Sequence, residues 1–231
     1  MALKFTTTDK ATVAHGVKAL VFGSAGSGKT TLCGTAPSPI IISAEAGLMS
    51  LRGKSIPAIE VSDICSVREA YDWCVKEAAK NGIKTICLDS ISEIAEQCLS
   101  NEKSKTKDPR QAYGEMANEI LKLVKQFRDL SGFHVLVTAK QTTVIDPVTG
   151  VEKAAPTAPG QQIGPALPYL FDEVLHAHTD KDPTTGATYH ALRTRAAFNV
   201  EAKDRSGVLD EVEYPDMSNL INKILTTTPA T

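Results

Sequence analysis

The sequence predicts an α/β domain: a mostly parallel central sheet with helices on both faces and antiparallel hairpins toward the C-terminus. Three observations lead there. Short apolar runs bounded by turn residues alternate with helix-length stretches as far as Lys140. The runs are continuous, as in strands that are covered on both faces. Beyond Lys140 the pattern changes, and the pentad Asp-Pro-x-Thr-Gly occurs twice between strand-like runs.

Bulk composition sets the bounds. A chain of 231 residues, 42% hydrophobic and 23% charged, fits one globular domain with a full core. That single domain is expected over residues 1–231, with 1–15 as an N-terminal arm and 226–231 as a flexible tail. A net charge of -2 excludes a globally basic nucleic-acid binder, so any such contact must come from local basic loops. No apolar run is long enough to span a membrane, and the N-terminus has no signal-peptide core. Cys33, Cys65, Cys74, Cys87 and Cys98 form no Cys-x-x-Cys pair. They read as buried free thiols in a reducing, cytoplasmic compartment.

Taken in order, "GVKALVFG" (Gly16 to Gly23) is a buried strand, followed by a glycine-rich turn and a helix from near Lys29. "PIIISA" is the second strand. "SVREAYDWCVKEAAKNG" is a helix with Ser66 and Glu69 as its capping box and Asn81-Gly82 as its stop. "IKTICLDS" is the third strand and "SEIAEQCL" the helix after it. The polar "NEKSKTKDPR" reads as a loop, and Asp108-Pro109 starts a helix that ends before Gly132. Its stripe of Tyr113, Met116, Ala117, Ile120, Leu121, Val124 and Phe127 faces the core. "FHVLVTA" is the next strand. The pentads Asp146 to Gly150 and Asp182 to Gly186 are hairpin tips, joining "TTVI" to "VEKA" and "EVLHAHT" to "TYHALRT". "APTAPGQQIGPALP" between the hairpins reads as a mobile loop.

The chemistry starts at "GSAGSGKT", a full G-x-x-x-x-G-K-[ST] between a predicted strand and a predicted helix. Gly23, Ser24, Ala25, Gly26, Ser27, Gly28, Lys29, Thr30 and Thr31 would wrap the phosphates of ATP at the positive end of a helix. Lys29 offers a cation to the β- and γ-phosphates, and Thr30 a hydroxyl ligand for Mg2+. Asp89 ends an apolar strand, where a carboxylate either reaches the same Mg2+ or caps the next helix.

The order of these elements (P-loop, helix, "IIISAEAG", helix, "ICLDSIS", basic segment, helix, "VLVTAKQ") resembles the RecA-type P-loop ATPase core. The resemblance runs from about Gly16 to Arg205. It implies that Glu45 activates the hydrolytic water and that Gln141 senses the γ-phosphate ahead of a DNA-binding loop. In "TAPSPIIISAEAG" and "VEAKDRSG" the chain is similar to the short RecA-like proteins of bacteriophages, which are linked to single-strand annealing and recombination. It departs from the wider family at Ser43, where an Asp is common, and shows neither a helix-hairpin-helix module nor an added C-terminal domain. These departures leave duplex capture and full strand exchange open.

The resemblance further implies single-stranded DNA as partner, a homo-oligomeric filament or ring, a single-strand-binding protein alongside it, and the host cytoplasm as its place. Lys103, Lys105, Lys107 and Arg110 occupy the family's first DNA loop, and Lys140 and Lys153 the second; a solvated loop is the alternative. Lys203 and Arg205 either reach a neighbour's ATP or form a surface hairpin tip. His176 and His178 alternate along a strand and read as ordinary strand residues. The leading expectation is a DNA-stimulated, slow ATPase. The alternatives are a P-loop kinase for a small metabolite and a non-enzymatic nucleotide switch in a replication or repair assembly.

Overall fold

The computed structural model describes residues 7, 14–45, 47–146 and 148–228. Most of the expected N-terminal arm and the last three residues of the expected tail lie outside the described residues; Thr226 itself ends a helix.

The described residues hold one sheet of ten strands. In chain order its elements are β1 (Lys18–Gly23), α1 (Lys29–Cys33), β2 (Pro39–Ser43), a 3-10 turn (Leu48–Leu51), β3 (Ala58–Glu60), α2 (Ile64–Trp73), β4 (Thr85–Asp89), α3 (Ile91–Lys105) and α4 (Pro109–Arg128). Then follow β5 (His134–Ile145), β6 (Glu152–Thr157), α5 (Ile163–Leu170), β7 (Glu173–Lys181), β8 (Thr188–Arg193), β9 (Lys203–Asp204), β10 (Val212–Glu213) and α6 (Met217–Thr226). The strand order is β10-β8-β7-β1-β5-β4-β2-β3, with β6 on β5 and β9 on β7. Strands β7, β1, β5, β4, β2 and β3 are parallel, while β6, β8, β9 and β10 add in the antiparallel sense. The predicted fold class is the observed one.

Alternation along the parallel strands feeds two cores, which is why their sequences are apolar throughout. Leu20, Phe22, Ile40, Ile42, Ile86, Leu88, Val135 and Val137 join the core under α2, α3, α4 and α5. Ala19, Val21, Ile41, Cys87, Leu136 and Leu175 join the opposite core, under α1 and α6. At roughly 1.5–3 kcal/mol for each fully buried aliphatic side chain, these two layers are the main force fixing the sheet. Both hairpins form as the pentads predict. Gly150 N–H donates to Asp146 O, and Gly186 N–H to Asp182 O, each at 2.8 Å.

Four local expectations are corrected. The capping box of α2 uses Asp63 and Ser66, not Ser66 and Glu69: Ser66 N–H donates to the Asp63 carboxylate at 2.7 Å. The segment read as a basic loop is mostly helix, because α3 continues to Lys105 and only three residues precede Pro109. An i,i+3 pair, Lys105–Glu102 at 2.6 Å, supports that last turn. The segment read as a mobile loop is ordered: its first residues finish β6 and its last ones form α5, despite Pro168. In α4, Ala112 and Leu123 are buried along with most of the predicted stripe, whereas Tyr113 is exposed. All five cysteines are free thiols, four of them buried and Cys65 exposed.

Candidate active site

The C-terminal ends of the parallel strands converge on one crevice, the place where open α/β sheets bind ligands. At the end of β1 the chain turns through Ser24 to Gly28 before α1 begins. Gly26 and Gly28 adopt φ of 77° and 88°, values that disfavour any side chain, and Gly28 caps α1 with no side-chain hydrogen bond of its own. The first N–H groups of α1 are thereby left to an anion.

Lys29 folds back over this loop. Its Nζ donates to Gly23 O and Ser24 O, both at 2.8 Å. Burial pulls its pKa down, and the charges of Asp89 and Glu45 push it back up. Thr30 Oγ1 donates to Asp89 Oδ2 at 2.7 Å. The other Asp89 oxygen accepts from Thr138 Oγ1 on β5. Asp89 is only 3% exposed, so both carboxylate oxygens are held in place. The helix-cap alternative for Asp89 falls away, since Ser90 is the N-cap residue of α3.

Glu45 lies two residues beyond β2, whose end pairs with Asp89 through Ser43. The turn is held by Ala44 N–H donating to Asp89 O at 2.9 Å and by Ser43 Oγ donating to Glu45 O. Ser90 Oγ donates to Glu45 Oε1 at 2.6 Å and aims the carboxylate along the β4 end. Ser43, the departure from the family pattern, thus shapes the turn that carries Glu45. Gln141 follows Lys140, which pairs with Gly23 across β5 and β1, and its Oε1 lies 2.9 Å from His176 Nε2 on β7.

The structure therefore gathers Lys29, Thr30, Asp89, Glu45 and Gln141 at one end of the sheet. Lys203 and Arg205 are not among them. They lie on and beside β9, which pairs with the beginning of β7 at Glu173 and Val174, the opposite end. Lys203 Nζ donates to Pro168 O at 2.7 Å and Arg205 pairs with Asp172 at 2.7 Å. The basic positions also divide. Lys105 pairs with Glu102, Lys153 with Asp146, and Lys140 with both Glu93 and Glu96. Burial opposes the Lys140 charge, but those two carboxylates raise its pKa to about 12. Lys107 and Arg110 are exposed with no carboxylate partner among the described residues, and Lys103 Nζ sits 5.4 Å from the centre of the Tyr113 ring. Arg110, Tyr113 and Gly160 to Gln162 line one open groove of about 600 Å³.

Sequence reasoning missed Thr138, weighed Ser90 only as a helix cap and a motif residue, and read His176 as an ordinary strand residue. A lone threonine inside "VLVTA" was the available signal for Thr138; the other two emerge only once the strands are set side by side.

A family profile described as an AAA domain matches residues 15–206. No curated protein matches the chain. Among solved structures it is similar to a KaiC-like protein of Pyrococcus horikoshii OT3, with 14% identity over 82% of each chain and a TM-score of 0.43. It is also similar to an ATPase from the type III secretion system of pathogenic bacteria, with 14% identity over 70% of this chain and a TM-score of 0.49. The chain covers 52% of the length of that ATPase.

Proposed function

The chain belongs to the AAA domain family of P-loop ATPases, and on that premise we propose that it is a Mg-ATP-dependent ATPase acting on single-stranded DNA in annealing or recombination, assembled as an oligomer with ATP at subunit junctions. The observation that carries the ATPase reading is the convergence of Glu45, Asp89, Thr30 and Lys29 across β2, β4 and the β1–α1 turn. The fit to nucleotide and metal rests on the same geometry. The loop presents N–H groups and an ammonium to phosphate, and Thr30 with Asp89 forms the hydroxyl–carboxylate pair that would hold Mg2+. When bound, the metal neutralises charge building on the phosphates.

The remaining work belongs to the chain. Lys29 exchanges two backbone carbonyls for phosphate oxygens. Thr138 keeps Asp89 from rotating. Glu45 takes the proton of the attacking water, and Ser90 both aims it and competes for one of its oxygens, which suits slow turnover. Lys103, Lys107 and Arg110, beside Tyr113, supply the phosphate contacts to DNA at the α3–α4 turn. DNA binding finds its support in the resemblance of the sequence and in these three cations.

Glu45→Gln tests the assignment. It is expected to keep ATP binding while turnover, measured with and without single-stranded DNA, drops by about two to three orders of magnitude. Hydrolysis at the parental rate would sink the role of Glu45, and turnover indifferent to DNA but stimulated by a small metabolite would favour a kinase.

A further inference from the structure

We propose that His176 is a positioning residue for Gln141, donating Nε2–H to the Gln141 side-chain oxygen so that the amide nitrogen is turned to the phosphate end of β1. The inference rests on the proposed ATPase reading and on the γ-phosphate contact that the sequence resemblance implies for Gln141, and it adds the residue that orients that side chain.

The two side chains come from strands on either side of the P-loop strand. Phe22 of β1 pairs with His176 of β7, and Gly23 pairs with Lys140 of β5, one residue before Gln141. Their 2.9 Å contact therefore bridges the end of the strand that feeds the phosphate loop. His176 is itself held firmly. Its ring stacks on His178 at 5.3 Å and 7°, and lies against Phe22 at 5.0 Å. His178 Nδ1 is 3.2 Å from the His176 carbonyl, which fixes the second ring to the first residue's backbone.

The chemistry of an amide makes this orientation matter. A Gln side chain offers an acceptor at one tip and a donor at the other, nearly identical in shape. Only the NH2 tip attracts phosphate; with the amide flipped, the oxygen would face the anion. Burial, helped by the charges of His178 and Arg193, holds the His176 pKa down to about 4. A neutral imidazole has a single N–H, and a bond to Gln141 Oε1 requires it on Nε2. Locking that tautomer locks the amide.

The test is a set of variants read by steady-state kinetics. His176→Phe keeps the ring and removes the donor, and is expected to lower kcat about tenfold, the size of one hydrogen bond, with KM for ATP unchanged. His176→Gln, which restores a donor at similar reach, is expected to recover most of that loss. In a Gln141→Ala background His176→Phe is expected to add nothing. An equal loss in both backgrounds, an unchanged kcat, or a loss expressed in KM alone would overturn the proposal. Parental turnover by Gln141→Ala alone would overturn it together with the role of Gln141, while Glu45→Gln reports separately on the ATPase site. Should His176→Phe fail to fold, nitrogen NMR of the parental imidazole decides: an Nε2–H tautomer supports the proposal and an Nδ1–H tautomer overturns it.

Discussion

Two buried ionisable residues at the far end of the sheet are expected to shape how stability varies with pH. Lys18 and Glu173 begin β1 and β7, and both side chains are almost fully buried. Lys18 Nζ is satisfied by Leu130 O at 2.8 Å and Phe133 O at 2.7 Å, whereas Glu173 Oε2 has no partner among the described residues. Burial, with Asp204 adding, pushes the Glu173 carboxyl from 4.5 up to about 8. Burial pulls Lys18 from 10.5 down to about 8, against Asp172. A raised carboxyl favours the fold fully below pH 4.5, and that contribution is lost as pH rises through about 8. A depressed lysine works in the other window: its contribution is present above pH 10.5 and lost as pH falls through about 8. Stability contributed by this pair is therefore expected to be lowest near pH 8, and Glu173→Gln should flatten the falling limb. Urea midpoints measured at a series of pH values check it. Neither residue was legible as special from sequence. In "GVKALVFG" a lysine among apolar neighbours looks like strand decoration, since its stem is aliphatic and its acceptors lie more than a hundred positions away.

Among the elements, those set by local chemistry were legible and those set by distant contacts were not. The P-loop, the two hairpin tips and the start of α4 at Asp108-Pro109 follow from residues within a few positions of each other. The extension of α3 was hidden because "NEKSK" is polar on every side, and a polar helix end depends on charge pairs and on neighbours instead of an apolar stripe. The order in "APTAPGQQIGPALP" comes from packing of Ile163 and Leu167 into the core, against the breaking tendency of its prolines. The extended α3 changes where the proposed DNA contacts would lie. Three of the six basic candidates are committed to carboxylates, leaving Lys103, Lys107 and Arg110 around the α3–α4 turn. Alanine at each of these is expected to weaken single-stranded DNA binding and lower the salt dependence by about 0.7 in the log–log slope. Alanine at Lys140 or Lys153 should leave the slope unchanged. Fluorescence anisotropy over a salt series measures both.

At the level of the whole molecule, the candidate residues fall at opposite ends of the sheet. Glu45 is at the crevice end, and Arg205, on the turn after β9, is at the other. Arg205 thus acts on ATP only if it is a neighbour's ATP. If the proposed oligomer forms, mixing Glu45→Gln with Arg205→Ala creates junctions with one intact copy of each residue. The mixture is expected to hydrolyse ATP faster than either variant alone, as read by turnover at equal total protein. A mixture no faster than the mean of its parts would exclude action across subunits. In the proposed oligomer, the outermost strands bear on how subunits would meet. The sheet ends in β10, two residues long, on one side and β3, three residues long, on the other. These stubs add little ladder of their own, and β10 covers β8 only at Leu192 and Arg193. In the proposed oligomer, an interface made by side chains instead of a continued ladder would come apart on a change of nucleotide without melting a shared sheet.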